Sequence, residues 1–257
     1  MQLKETIKIR GKPFPKPLPI KADILVEYLS KEGIKFENLD GETLLLYEIY
    51  MSSRLTMVKK LIESKGLDLD IYHSLNTVYE EKDFRQNPLW ILYFPDLSID
   101  VLNFEKKCSV CRKKSVIMDF NKRIPYVKSK KPIVTVNGQF DIVRKELKKK
   151  IEEELSGAHF EPFDERGEYF YLLARNSLGD LVNPPEDFLD YGGVCPECNL
   201  PIYDIFFSPF KYSKPNWNGD DIVSGAFHEG VLFTEKAYNL LKSVEKEVIR
   251  YGVVILK

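Results

Sequence analysis

Apolar residues change their spacing several times along the chain, and each change predicts an element. Four prolines fall in the seven residues from Pro13 to Pro19, a composition that forbids helix and favours an extended arm. ADILVEYLSKEGIKFENL predicts a helix stopped at Gly33 and then a short strand. GETLLLYEIYMSSRLTMVKKLIESKG predicts a long helical region ending at Gly66. From LDLDIYHSLNTVYEEKDF through PLWILYFPDLSIDVLNFEKK, aromatic and β-branched residues partly alternate, which predicts strands.

Two later stretches look alike. FDIVRKELKKKIEEELSGAHFEPF and VLFTEKAYNLLKSVEKEVIRYGVVILK each read as a strand, a helix with an apolar stripe, a glycine stop and a second strand. Val143, Leu147, Ile151 and Leu155 make the stripe in the first, and Ala237, Leu240, Leu241, Val244 and Val248 make it in the second. A CxxC pair precedes each at a similar distance: Cys111 lies 31 positions before Ile142, and Cys198 lies 34 before Leu232. The order predicts a degenerate internal duplication. The plainer alternative stays open, because Gly33 and Gly66 also end helical patterns in this chain.

With 257 residues, 44% hydrophobic and 30% charged, the chain has ordinary globular composition and room for one large domain or two modest ones. The pattern divides it into a Pro-rich arm with a helical and mixed region over 1–100, and a cysteine-bearing α+β domain over 101–257. No run approaches the roughly 18 apolar residues of a membrane span. MQLKETIKIR lacks the apolar core of a signal peptide, so a cytoplasmic protein is expected. Thiols stay reduced there, and paired cysteines read as metal ligands or redox catalysts before disulfides. A net charge of −1 offers no broad basic field for nucleic acid.

All four cysteines fall in two pairs, Cys108 with Cys111 and Cys195 with Cys198. A CxxC turn lets two thiolates face one ion, and two such knuckles complete a tetrahedral zinc site. With 83 residues between the pairs, one ion would clip together remote parts of the domain. A redox pair would need a helix starting at the cysteines, and NLPIYDIFF after the second pair does not begin one. A zinc deaminase would need H-x-E followed by P-C-x-x-C. His159 and Glu161 precede VCPEC, but Val194 stands where that proline would be, Pro162 follows Glu161, and Cys108 and Cys111 would have no role. His73 and His228 are isolated. Lys122, Arg123, Lys128, Lys130 and Lys131 around Tyr126 form a basic loop that reads first as solvated surface and second as a phosphate contact.

The two CxxC pairs, the GAHFEPF strand between them, CPEC with DIFFSPFK after it, and the closing VLFTEKAYNLL and GVVIL together resemble the double-CxxCG motif proteins of bacteria. That group overlaps with immunity proteins that protect a cell from a cognate toxin. The resemblance spans about Leu102 to Lys257 and departs at Arg112 and Asn199, where a glycine is expected after each pair. It implies a non-enzymatic protein with a toxin as partner, Cys108, Cys111, Cys195 and Cys198 as zinc ligands, and no catalytic residue. The expected fold is α+β, a mostly antiparallel sheet flanked by four or five helices with both knuckles pinned by one structural zinc. The alternative from another class is a zinc-knuckle nucleic-acid-binding protein using the basic loop.

Overall fold

The computed structural model describes residues 2–11, 23–39, 43–49, 52–99, 104–111, 114–117, 120, 123–189, 192–197, 202, 205–206, 209–225 and 228–257. The Pro13–Pro19 arm lies outside them. The chain forms two compact units, Met1–Val78 with Ile205–Phe207, and Tyr79–Asp204 with Ser208–Lys257. The division at Val78/Tyr79 assigns residues 79–100, which the sequence pattern grouped with the N-terminal region, to the second unit. Among the described residues the fold is α+β with five α-helices and mostly antiparallel sheets, as the pattern predicts. No described helix is long and apolar enough to cross a membrane.

The first unit runs β1 (Gln2–Gly11), α1 (Asp23–Lys31), β2 (Phe36–Leu39), β3 (Thr43–Ile49), α2 (Ser52–Ser64) and β4 (Leu69–Val78). Its sheet has the order β2-β3-β1-β4 with every pair antiparallel, which is the split β-α-β arrangement. Leu25 and Leu29 of α1 and Val58 and Ile62 of α2 pack on Ile7, Ile9, Leu44 and Leu46. Under α2 the guanidinium of Arg54 reaches the Glu5 carboxylate at 3.1 Å, both side chains being buried. The stretch around Thr43–Ile49, expected as helix, is a strand. Thr43 to Leu46 are buried in succession and β3 is hydrogen-bonded to β1 on one side and β2 on the other, and periodicity cannot tell such a continuous apolar run from a buried helix.

The second unit begins with α3 (Glu81–Gln86), β5 (Leu89–Tyr93), β6 (Asp96–Leu97), β7 (Phe104–Lys107) and β8 (Lys114–Ile117). It continues with β9 (Ile133–Val136), β10 (Phe140–Arg144), α4 (Lys145–Glu154), β11 (Ala158–Pro162), β12 (Tyr169–Ala174) and β13 (Phe188–Leu189). After β14 (Ile205–Phe206, which belongs to the first unit) come β15 (Phe210–Tyr212), β16 (Ile222–Gly225), β17 (His228–Phe233), α5 (Glu235–Val244) and β18 (Ile249–Leu256).

The topology repeats. A hairpin, a ten-residue helix and a returning strand occur as β9-β10-α4-β11 and again as β16-β17-α5-β18. In neither repeat does the returning strand pair with its own hairpin. β12, from the second half, lies between β11 and β10, while β5, from the first half, lies between β18 and β17. The halves therefore exchange strands: the sheets read β11-β12-β10-β9-β6 and β15-β18-β5-β17-β16. The segment after each exchanged strand then lies parallel to its own hairpin, β6 on β9 and Ser177 on Ser224.

Both inner faces and both helices share one core. Equivalent positions fill it: Leu147 and Ala237, Ile151 and Leu241, Ala158 and Val248, Leu172 and Leu92. Each turn after a helix also meets the start of the opposite hairpin. Ser156 donates its amide to the Asp221 carboxylate, and Glu247 pairs with Lys131. Gly157 is required at the first of these turns: its φ is 85°, and a Cβ there would sit 2.2 Å from the Ile222 carbonyl oxygen. Gly252, expected to stop the second helix, lies inside β18 at a register shift. α5 ends at Glu245 instead, where Lys242 donates to the carbonyls of Lys246 and Val248.

Candidate metal centre

β7 and β8 pair antiparallel with Lys107 opposite Lys114, so Cys108 and Cys111 occupy the loop of a hairpin. Cys195 follows β13 in the second half of the same unit. Each pair thus lies between the exchanged strand of its half and the hairpin that follows.

The Sγ atoms of Cys108, Cys111 and Cys195 lie within 4.8 Å of one another. Cys108 and Cys195 are buried and Cys111 is half-buried. The Cys108 and Cys195 sulfurs stand 3.7 Å apart across 87 positions of sequence. Zn–S bonds of about 2.3 Å in a tetrahedron put sulfurs roughly 3.8 Å apart, so this spacing fits ligands of one ion. Cys198 lies outside the described residues.

A carboxylate that sequence reasoning passed over joins the two loops. Glu197, inside the second CxxC, accepts on one oxygen from the Ser109 hydroxyl at 2.6 Å, the Cys108 thiol at 3.2 Å and the Val110 amide at 3.2 Å. The Ser109 hydroxyl, then the Cys108 thiol, hold the Glu197 carboxyl below the usual range. At Cys108 the Cys111 amide draws the thiol pKa down, but burial and the Glu197 carboxylate outweigh it and push it up to about 12. Without an ion this thiol is protonated at neutral pH, and a metal must displace its proton. The legible signal was a hydroxyl residue inside one CxxC and an acid inside the other.

The other candidates are placed elsewhere. His159 and Glu161 lie on edge strand β11, as a strand context required, and bond to each other at 2.9 Å with both side chains partly exposed. Among the described residues the close set of metal-ligating atoms consists of Cys108, Cys111 and Cys195, and His159 is not part of it. In the basic loop Lys122 lies outside the described residues. Lys131 pairs with Glu247, and Lys128 and Arg166 stand over the Tyr126 ring at 5.8 and 4.9 Å. Within the fold, Lys131 of this loop is therefore already paired with a carboxylate.

Comparison of the chain with family models, with curated proteins and with solved structures finds no match.

Proposed function

We propose that this chain is a non-enzymatic binding protein of the immunity type, whose second unit is pinned by a structural zinc on Cys108, Cys111, Cys195 and Cys198. The observation that carries the metal half is the meeting of Cys108, Cys111 and Cys195 from corresponding places in two strand-exchanged halves. Cys198, the second cysteine of the other CxxC, is the fourth thiolate of this proposal by its place in the sequence. Four thiolates fill a zinc tetrahedron and leave no position for water or substrate, which makes the ion structural. The partner half rests on the resemblance over Leu102–Lys257. Neutralising a toxin needs a complementary surface of roughly 1,600 Å² in total rather than a reactive centre.

Zinc analysis and thermal melts of the wild type and of the four single Cys→Ser variants test the metal. One zinc per chain is expected, and each variant should lose it at a cost of about 3 kcal/mol or more, a fall in Tm of roughly 6–12 °C. If one pair of cysteines mattered and the other did not, the shared site would be lost. Identification of a toxin gene beside this one, followed by co-expression of the two, tests the partner: growth should be restored, and continued killing in the presence of folded, zinc-loaded protein would end the immunity reading.

A further inference from the structure

We infer that Glu197 is the latch that sets the two cysteine loops against each other before the metal enters, a positioning residue for the zinc site proposed above, on whose reading the inference rests. Three thiols at van der Waals range have little attraction for one another, since an S–H group is a weak donor and sulfur a weak acceptor. Something else must hold loops that are 87 positions apart in the chain.

Glu197 is the group placed to do it. All three of its donors, Cys108, Ser109 and Val110, belong to the opposite loop, so its carboxylate works across the junction and not within its own turn. Charge-assisted bonds of this kind are about twice as strong as neutral ones. Two of the three donors, the Ser109 hydroxyl and the Val110 amide, are not metal ligands and keep their bonds when the site fills. The latch therefore rests on the Ser109 and Val110 bonds, which do not involve a ligand sulfur. Partners one shell out from a metal typically change its affinity 10- to 100-fold when removed.

The latch needs an acceptor oxygen at this place, which glutamine supplies and alanine does not. Zinc affinity, by competition with a chromophoric chelator, and hydrogen exchange of the Val110 amide in the metal-free protein are to be measured for the wild type, Glu197→Gln, Glu197→Ala, Ser109→Ala and the double alanine variant. Glu197→Ala should bind zinc about tenfold more weakly or worse and should expose the Val110 amide to faster exchange. Glu197→Gln, whose amide oxygen still accepts but makes only neutral bonds, should bind zinc more tightly than the alanine variant and protect the Val110 amide better than alanine does. Ser109→Ala should fall between, and adding it to Glu197→Ala should cost nothing more. An alanine variant equal to the wild type in affinity and exchange would overturn the latch, as would a glutamine variant as weak as alanine. A wild type that takes no zinc would instead overturn the metal reading, and the Val110 exchange would then decide the latch on its own.

Discussion

Where the first repeat of the second unit carries Asp141, the second carries Val231. Both sit on the inner face of the second hairpin strand, Asp141 opposite Thr135 and Val231 opposite Ser224, and both are buried, at 8% and 6% exposure. Burial pushes the Asp141 carboxyl up to about 7, against the smaller opposing effect of the Thr135 hydroxyl that donates to it at 2.7 Å. One architecture therefore tolerates an acid or a methyl pair at the same place. The apolar positions the repeats share carry the fold, and a lone polar substitution survives when a neighbour satisfies it.

A second difference reverses roles without changing the staple. In the first repeat the helix supplies a cation: Lys148 stands over Phe160 of the returning strand and Phe170 of the exchanged strand, at 5.3 and 5.2 Å. In the second repeat the helix supplies the ring, Tyr238, and the returning strand the cation. Arg250 stands 5.3 Å from Tyr238, 5.4 Å from Trp90 of the exchanged strand and 4.5 Å from Phe84. It also bonds both carboxylate oxygens of Glu81 at 3.1 and 2.6 Å. Helix, exchanged strand and returning strand are tied together in both, with more partners in the second.

The largest expected effect comes from carrying the first difference across or erasing it. Asp141 has its folded-state pKa near 7, above an unfolded value of about 3.9. The folded state thus binds the proton more tightly. The stability this contributes is full below about pH 4 and is lost as pH rises through 7. Asp141→Asn, which still accepts from Thr135, should be more stable than the wild type at pH 8 by up to a few kcal/mol and should flatten that slope. Val231→Asp should import the same slope at a net cost of roughly 3 kcal/mol at pH 8. Urea melts at pH 5 and pH 8 read both, and parallel slopes for wild type and Asp141→Asn would remove Asp141 as the source.

A smaller effect separates the two staples. Arg250→Leu should cost about 1–2 kcal/mol, and Lys148→Leu no more than about 0.5 kcal/mol. Equal losses would mean that Phe84 and Glu81 add nothing to the second. Smallest is the difference in helix caps. Thr234 accepts from the Ala237 amide ahead of α5, whereas Arg144 makes no side-chain cap ahead of α4. Thr234→Ala should lower stability by about 1 kcal/mol, and Arg144→Ala should show no capping loss of that kind in the same melt.

Much of this was legible in the chain. The apolar stripes through Leu147 and Ile151 and through Ala237 and Leu241 announced α4 and α5. The repeated order of strand, helix and strand announced the duplication, and residue type alone marked Cys108, Cys111, Cys195 and Cys198 as one candidate site, of which the first three meet. These signals are local, since they depend on spacings within one or two turns of backbone or on the chemistry of single side chains. Tertiary structure alone decided that Thr43–Ile49 is a strand, that β5 and β12 cross into each other's sheets, and that Glu197 faces Ser109 and Val110. Each of these depends on a partner far away in sequence: Trp90 pairs with Phe233 and Val253, and a carboxylate inside a CxxC looks like any exposed acid until the other loop arrives. Strand partners and cross-loop hydrogen bonds are chosen by which apolar surfaces can be buried together, a property of the assembled core that no short window of sequence contains.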